Sequence, residues 1–132
     1  MIAAIKRFLA AKSIAVVGVS RSDEKYGTKV YRLLTKHGYD VTGINPRMSE
    51  LDGRMIYPSI ADMPQKPEAV VIVVPPQIAV ETIKEAAAAG ITQVWLQPGA
   101  ESPEAIEVAA ELDMSLIYDS CIMVQSTANL SR

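Results

Sequence analysis

Residues 16–27 read VVGVSRSDEKYG, an apolar run that ends in glycine and passes through a polar loop into a helical pattern. The preceding residues 13–19 (SIAVVGV) form a continuous β-branched stretch, the mark of a strand buried on both faces of a parallel sheet. A strand, a glycine turn and a helix are the parts of a dinucleotide site, whose usual spelling is Gly-x-Gly-x-x-Gly. Here those positions hold Gly18, Ser20 and Asp23. So long a loop does not make the tight pyrophosphate turn of a standard NAD site, but it has the length to wrap a phosphate. Ser20, Arg21, Ser22 and Lys25 supply hydroxyls and cations, and Gly27-Thr28 opens a helix whose unpaired N–H groups attract anions. A plain polar strand-to-helix connection is the alternative.

The pattern repeats outward from this stretch. Val30, Leu33, Leu34 and His37 keep a helical period that ends at Gly38, and residues 41–44 predict a second strand cut by Asn45-Pro46. A short strand is expected around residues 55–57. Residues 69–74 (AVVIVV) predict the third strong strand, stopped by Pro75-Pro76; an alanine-rich helix over 77–89 closes at Gly90. Residues 93–96 read as a fourth strand. Ser102 and Pro103 suit the N-cap and first turn of a helix to Leu112, and residues 115–118 predict a fifth strand. The tail from Asp119 carries no clear pattern. At the opening, Ile2, Ile5 and Leu9 fall at helical spacing.

Strand alternating with helix implies a doubly wound α/β domain, a three-layer α/β/α arrangement around a five-stranded parallel sheet with right-handed crossovers. At 132 residues the chain is expected to form one domain. Ligands in this architecture bind beyond the carboxyl ends of the strands, where the strand order reverses. Five loops fall on that edge, following Gly18, Ile44, Val74, Leu96 and Tyr118.

Composition narrows the function classes. Hydrophobic residues make up 49% and charged residues 21%, ordinary values for a globular protein, and the one cysteine and absence of a signal-peptide pattern point to the cytoplasm. A sequence pI near 5.4 and few aromatics argue against nucleic acid, and no run is long enough to span a bilayer. The net charge of −2 conceals a split: residues 1–54 carry ten Lys and Arg against five Asp and Glu, and residues 55–132 carry three against ten. The basic half holds the unusual turn, which suits an anionic ligand.

The second strand's end separates the nucleotides. A free ribose is usually held by Asp or Glu there, whereas this chain has Asn45, Pro46 and Arg47. Arginine suits a ribose that bears a phosphate, as in NADP or the 3′-phosphorylated ADP of coenzyme A. Pro75 and Pro76 after Val74, and Gln97-Pro98-Gly99 after the fourth strand, predict rigid walls short of amide donors. Cys121 falls on the same edge, where small buried packing and a reactive thiol are both open readings. No catalytic set and no metal-ligand spacing is present; Trp95 reads as core, and His37 as a helix C-terminal residue.

The chain resembles the CoA-binding proteins and, more distantly, the N-terminal domain of the succinyl-CoA synthetase alpha subunit. The carriers are VVGVS, GYDVTGINP, LDGRMIYPSIADMP, WLQPGA and the cysteine in YDSCIM, spread from about residue 5 to 124. That resemblance implies a Rossmann-like fold holding coenzyme A along the carboxyl edge of the sheet. It assigns Gly18, Ser20, Arg21, Ser22 and Lys25 to the phosphate loop, and Asn45, Pro46 and Arg47 to the segment meeting the nucleotide. Val74, Pro75 and Pro76, then Gln97, Pro98 and Gly99, supply the third and fourth loops. The expected function is a small non-catalytic module binding coenzyme A or an acyl-CoA, alone or with a partner protein. The alternatives are an NADP-binding oxidoreductase module and a redox sensor in which Cys121 forms a mixed disulfide with CoA.

Overall fold

The computed structural model describes residues 1–130. Helix α1 (Ile2–Leu9) leads into β1 (Ser13–Val17), α2 (Tyr26–Lys36) and β2 (Asp40–Ile44). Two short strands, β3 (Glu50–Leu51) and β4 (Arg54–Tyr57), and a 3-10 turn (Ile60–Asp62) precede β5 (Ala69–Ile72). The chain continues through α3 (Pro76–Ala88), β6 (Gln93–Leu96), α4 (Pro103–Glu111), β7 (Ser115–Ile117) and α5 (Ile122–Leu130). None of these helices is long and apolar enough to cross a membrane.

The strands form one sheet in the order β3-β4-β2-β1-β5-β6-β7, parallel throughout except where β3 runs against β4. Alternation along each strand divides the core in two. Ile14, Val16, Val71 and Trp95 face α1, α2 and α5, with Phe8, Val30, Leu34 and Ile122. Ala15, Val17, Val70, Ile72 and Leu96 face α3 and α4, with Ile83 and Ala105. The expected doubly wound, three-layer α/β/α class is therefore the one found. Trp95 is fully buried against Phe8 at a ring separation of 5.2 Å, and its indole N–H donates to the Ser120 carbonyl at 2.8 Å.

The sheet has seven strands where five were expected. Strand β4, centred on the expected stretch at 55–57, meets β2 through only two residue pairs, Gly43 with Ile56 and Ile44 with Tyr57; β3 is two residues long. Elements that short carry no readable period. The patternless tail is helix α5, set by a tertiary contact: the Gln97 side-chain oxygen accepts the Ile122 N–H at 2.6 Å, and Ile122 and Ser126 are fully buried. In α1, Phe8 joins Ile5 and Leu9 in the core while Ile2 stays 74% exposed.

Because β1 pairs with β2 on one side and with β5 on the other, the strand order reverses between β1 and β5. Helix α2 covers one face of the sheet and α3 the other, so their amino ends flank a crevice above that junction.

Candidate functional site

The crevice is an open groove of about 530 Å³. One wall is Gly18, Ser20, Lys25, Tyr26 and Gly27, from the end of β1 and the start of α2; the opposite wall is Val73, Val74, Pro75 and Pro76. Pro98, Gly99 and Ala100 close it from the loop after β6.

Two glycines fix its shape. Gly18 has φ +112°, and a Cβ there would stand 2.2 Å from the Val73 carbonyl oxygen. A Cβ on Gly27 would stand 2.0 Å from the carbonyl oxygen of Gly18 itself. The amino end of α2 is thus pressed directly onto the end of β1. These are the jobs of the outer glycines of a dinucleotide turn, a reversal after the strand and close helix packing. Only the middle glycine's job has been dropped, and a longer loop fills its place.

That loop is stapled at its base. Thr28, fully buried, accepts the Ser20 N–H at 3.0 Å and donates its hydroxyl to the Ser20 carbonyl at 2.7 Å, while the Ser22 N–H donates to Ser20 Oγ at 3.0 Å. The Thr28 hydroxyl is committed to the loop, which leaves its backbone N–H as the group that can meet a ligand. The first helical bond of α2 onto its cap runs from the Lys29 N–H to the Lys25 carbonyl. Among the described residues the N–H groups of Tyr26, Gly27 and Thr28 have no acceptor. This leaves a helix terminus with its positive end open beside the groove.

The cations sort into two groups. Arg32 bonds to Asp23 and Asp52, and Arg54 donates to the Val41 carbonyl and Thr35 Oγ1 while lying 4.6 Å from the centroid of the Tyr31 ring. Burial pushes the Tyr31 hydroxyl above its ordinary pKa, although the nearby Arg54 pulls the other way. Arg21, Lys25 and Arg47 are exposed and enter no ion pair among the described residues.

Several residues assigned to the site from the sequence lie beside the groove rather than on it. Asn45 donates its side-chain N–H to the Val19 carbonyl at 2.6 Å and accepts the Arg47 N–H at 2.8 Å, clasping the end of β2 to the first loop. Pro46 and Arg47 are exposed at the end of β2, across β1 from the groove. Arg21 and Ser22 occupy the exposed outer part of the loop. Gln97 is only 3% exposed and turns inward, donating to Cys121 Sγ at 3.5 Å and accepting from Ile122. Cys121 is half-buried at the head of α5, where its carbonyl accepts the Gln125 N–H. Tyr26, Val73 and Ala100 also line the groove; Tyr26 and Ala100 fall within the loops expected on this edge, though none of the three is among the residues assigned to the site from the sequence. For Tyr26 the usable signal was a large aromatic directly before the helix-opening glycine; it is 63% exposed, with the Lys29 ammonium 5.5 Å from its ring centroid.

Residues 12–127 match the family model described as "CoA binding domain". The chain belongs to the CoA-binding domain family. It is 28% identical, over 94% of its length, to the acetate–CoA ligase [ADP-forming] II subunit alpha of Pyrococcus furiosus, and 24% identical over 93% to acetate–CoA ligase [ADP-forming] I of Archaeoglobus fulgidus. It spans 30% and 19% of those two proteins. Among solved structures, a hypothetical protein from Pyrococcus horikoshii OT3 superposes with a TM-score of 0.89 at 34% identity, covering 97% of this chain and 90% of that one. The dinucleotide-forming acetyl-coenzyme A synthetase 1 of Ca. Korarchaeum cryptofilum, solved with phosphate and ADP, superposes with a TM-score of 0.75 at 30% identity, over 85% of this chain and 26% of that one. Within the CoA-binding domain of this chain, an apolar groove, an open helix terminus and three cations that enter no ion pair among the described residues lie along one sheet edge.

Proposed function

We propose that this chain binds coenzyme A or an acyl-CoA, and that the binding is non-covalent. The observation that carries the proposal is the amino end of α2: three N–H groups without an acceptor among the described residues, held against Gly18 at the mouth of an apolar groove. The pyrophosphate sits on those amides, with Lys25 and Arg21 neutralising it. The 3′-phosphate of the ribose pairs with Arg47 at the end of β2, and the pantetheine arm crosses β1 into the groove between Val74, Pro75 and Pro98. The proline and valine walls present apolar surface to the methylene and gem-dimethyl parts of that arm. Cys121 stands outside the groove lining, which favours reversible binding over a mixed disulfide. By its likeness to part of the acetate–CoA ligases, the module presents the thioester end of the ligand to a partner in the cytoplasm.

Isothermal titration with CoA and with 3′-dephospho-CoA tests this. Loss of one charge-assisted phosphate contact weakens binding by about tenfold or more. NADP, which has the pyrophosphate and a ribose phosphorylated at the 2′ rather than the 3′ position but no pantetheine, is the control and binds more weakly than CoA. Absence of heat with CoA, or equal affinity for all three ligands, contradicts the proposal.

A further inference from the structure

The exposed outer part of the first loop, residues 21–25, is gripped from outside by one side chain among the described residues, that of Arg32 on α2. Its Nη1 donates to Asp23 at 2.6 Å, while Nε and Nη2 donate to the two carboxylate oxygens of Asp52 at 3.0 Å each. One guanidinium therefore joins the phosphate loop to the turn between β3 and β4 at the sheet's edge. That turn is itself fixed: Asp52 adopts φ +53°, and the Gly53 N–H donates to Glu50. Paired with Asp52 through two parallel bonds, Arg32 has a defined place from which to hold Asp23.

Charge gives the link its meaning. Asp23 stands between Arg21 and Lys25, the two cations proposed to meet the pyrophosphate. Left alone, its carboxylate would offset one of them and repel the ligand. We infer that Arg32 is a positioning residue for the loop: it draws the Asp23 carboxylate aside, sharing its charge between Asp23 and Asp52, and ties the loop to the β3–β4 turn, so that Arg21 and Lys25 are presented to an anion. The inference rests on the CoA reading for its ligand, though not for the loop's order. Exposed ion pairs contribute little to global stability, so the effect of removing this one is local.

The experiment compares wild type with Arg32→Met, Arg32→Lys, Asp23→Asn and the double variant Arg32→Met/Asp23→Asn. Native-state trypsin cleavage after Arg21 and Lys25 reads loop order without any ligand, thermal melting reads global stability, and titration reads CoA affinity. Arg32→Met is expected to speed cleavage at these two sites about threefold or more with an almost unchanged melting temperature, and to weaken CoA about three- to fivefold. Adding Asp23→Asn returns affinity to within about twofold of wild type while cleavage stays fast, and Arg32→Lys falls between wild type and Arg32→Met on both readouts. Wild-type cleavage in both Arg32→Met and Asp23→Asn overturns the inference, as does a loss of melting temperature with cleavage and affinity unchanged. If wild type itself does not bind CoA, the functional proposal fails and the cleavage rates still decide the role of Arg32.

Discussion

Substituting Gly27 by alanine sets two effects of opposite sign against each other. Gly27 is the second residue of α2 and lacks the positive φ that would itself demand glycine, so propensity alone favours alanine by up to about 1 kcal/mol. Sterics oppose it: the new methyl would stand 2.0 Å from the Gly18 oxygen and 2.7 Å from its carbonyl carbon. Both are backbone atoms of a turn already fixed by Gly18, so neither can swing aside, and relief requires α2 to move off the end of β1. Overpacking of this kind costs about 1–3 kcal/mol, which exceeds the propensity gain. Net destabilisation of about 1–2 kcal/mol is expected in urea unfolding, with a larger proportional loss of CoA affinity because the displaced amides are those proposed to hold the pyrophosphate. Gly43→Ala is the control, since the first atom its methyl meets is the flexible end of Ile56, at 2.6 Å; it should cost less and leave binding intact. A Gly27→Ala protein as stable as wild type, binding CoA equally well, would refute the reasoning.

Three further predictions concern the core and the C-terminal edge. The Tyr31 hydroxyl is buried with no partner at hydrogen-bonding geometry among the described residues, while the Arg54 guanidinium nearby favours its oxygen, so Tyr31→Phe should change stability by no more than about 1 kcal/mol; a larger loss in urea unfolding would mean that the Arg54 contact is a full hydrogen bond. Burial raises Tyr31 and Tyr39 above the ordinary tyrosine pKa of 10.0, so the unfolded chain ionises first as pH rises; stability is unaffected by these groups below that pKa and declines above it. Unfolding midpoints measured from pH 7 to 11 check this, and a flat profile to pH 11 contradicts it. Gln97→Leu removes the acceptor of the Ile122 N–H and the contact to Cys121, and should cost about 1–3 kcal/mol while speeding reaction of Cys121 with a thiol reagent; unchanged reactivity would mean α5 is held by other contacts.

What could be read in advance depended on how locally each feature is encoded. Strands β1, β5 and β6 are buried on both faces, so each is a continuous apolar run, and α2 and α3 end at Gly38 and Gly90 with φ of +97° and +82°. Ser102 caps α4 through the Ala105 N–H, as its place before Pro103 implies. Helix α5 was not legible because the contact that starts it comes from Gln97, 25 residues earlier in the chain. Strands β3 and β4 were obscured by their length. The site shows the same division. Gly18, Lys25 and the proline pairings follow from their places at strand and helix ends, and the structure brings them to one groove. Gln97 and Thr28 sit equally well placed in sequence, yet each turns its polar group into the protein, toward Ile122 and Ser20. Side-chain direction at a loop depends on which buried amide lies nearest, and no short motif records that. The basic first half also contains Arg32 and Arg54, whose charges serve internal carboxylates, carbonyls and a ring rather than a ligand.

The most direct measurement is a crystal structure of the protein soaked with CoA. The expected result places pyrophosphate oxygens within about 3 Å of the Tyr26 and Gly27 amide nitrogens, with the pantetheine arm against Pro75 and Pro98. A groove left empty at saturating CoA, or a ligand seated elsewhere on the sheet, would contradict it.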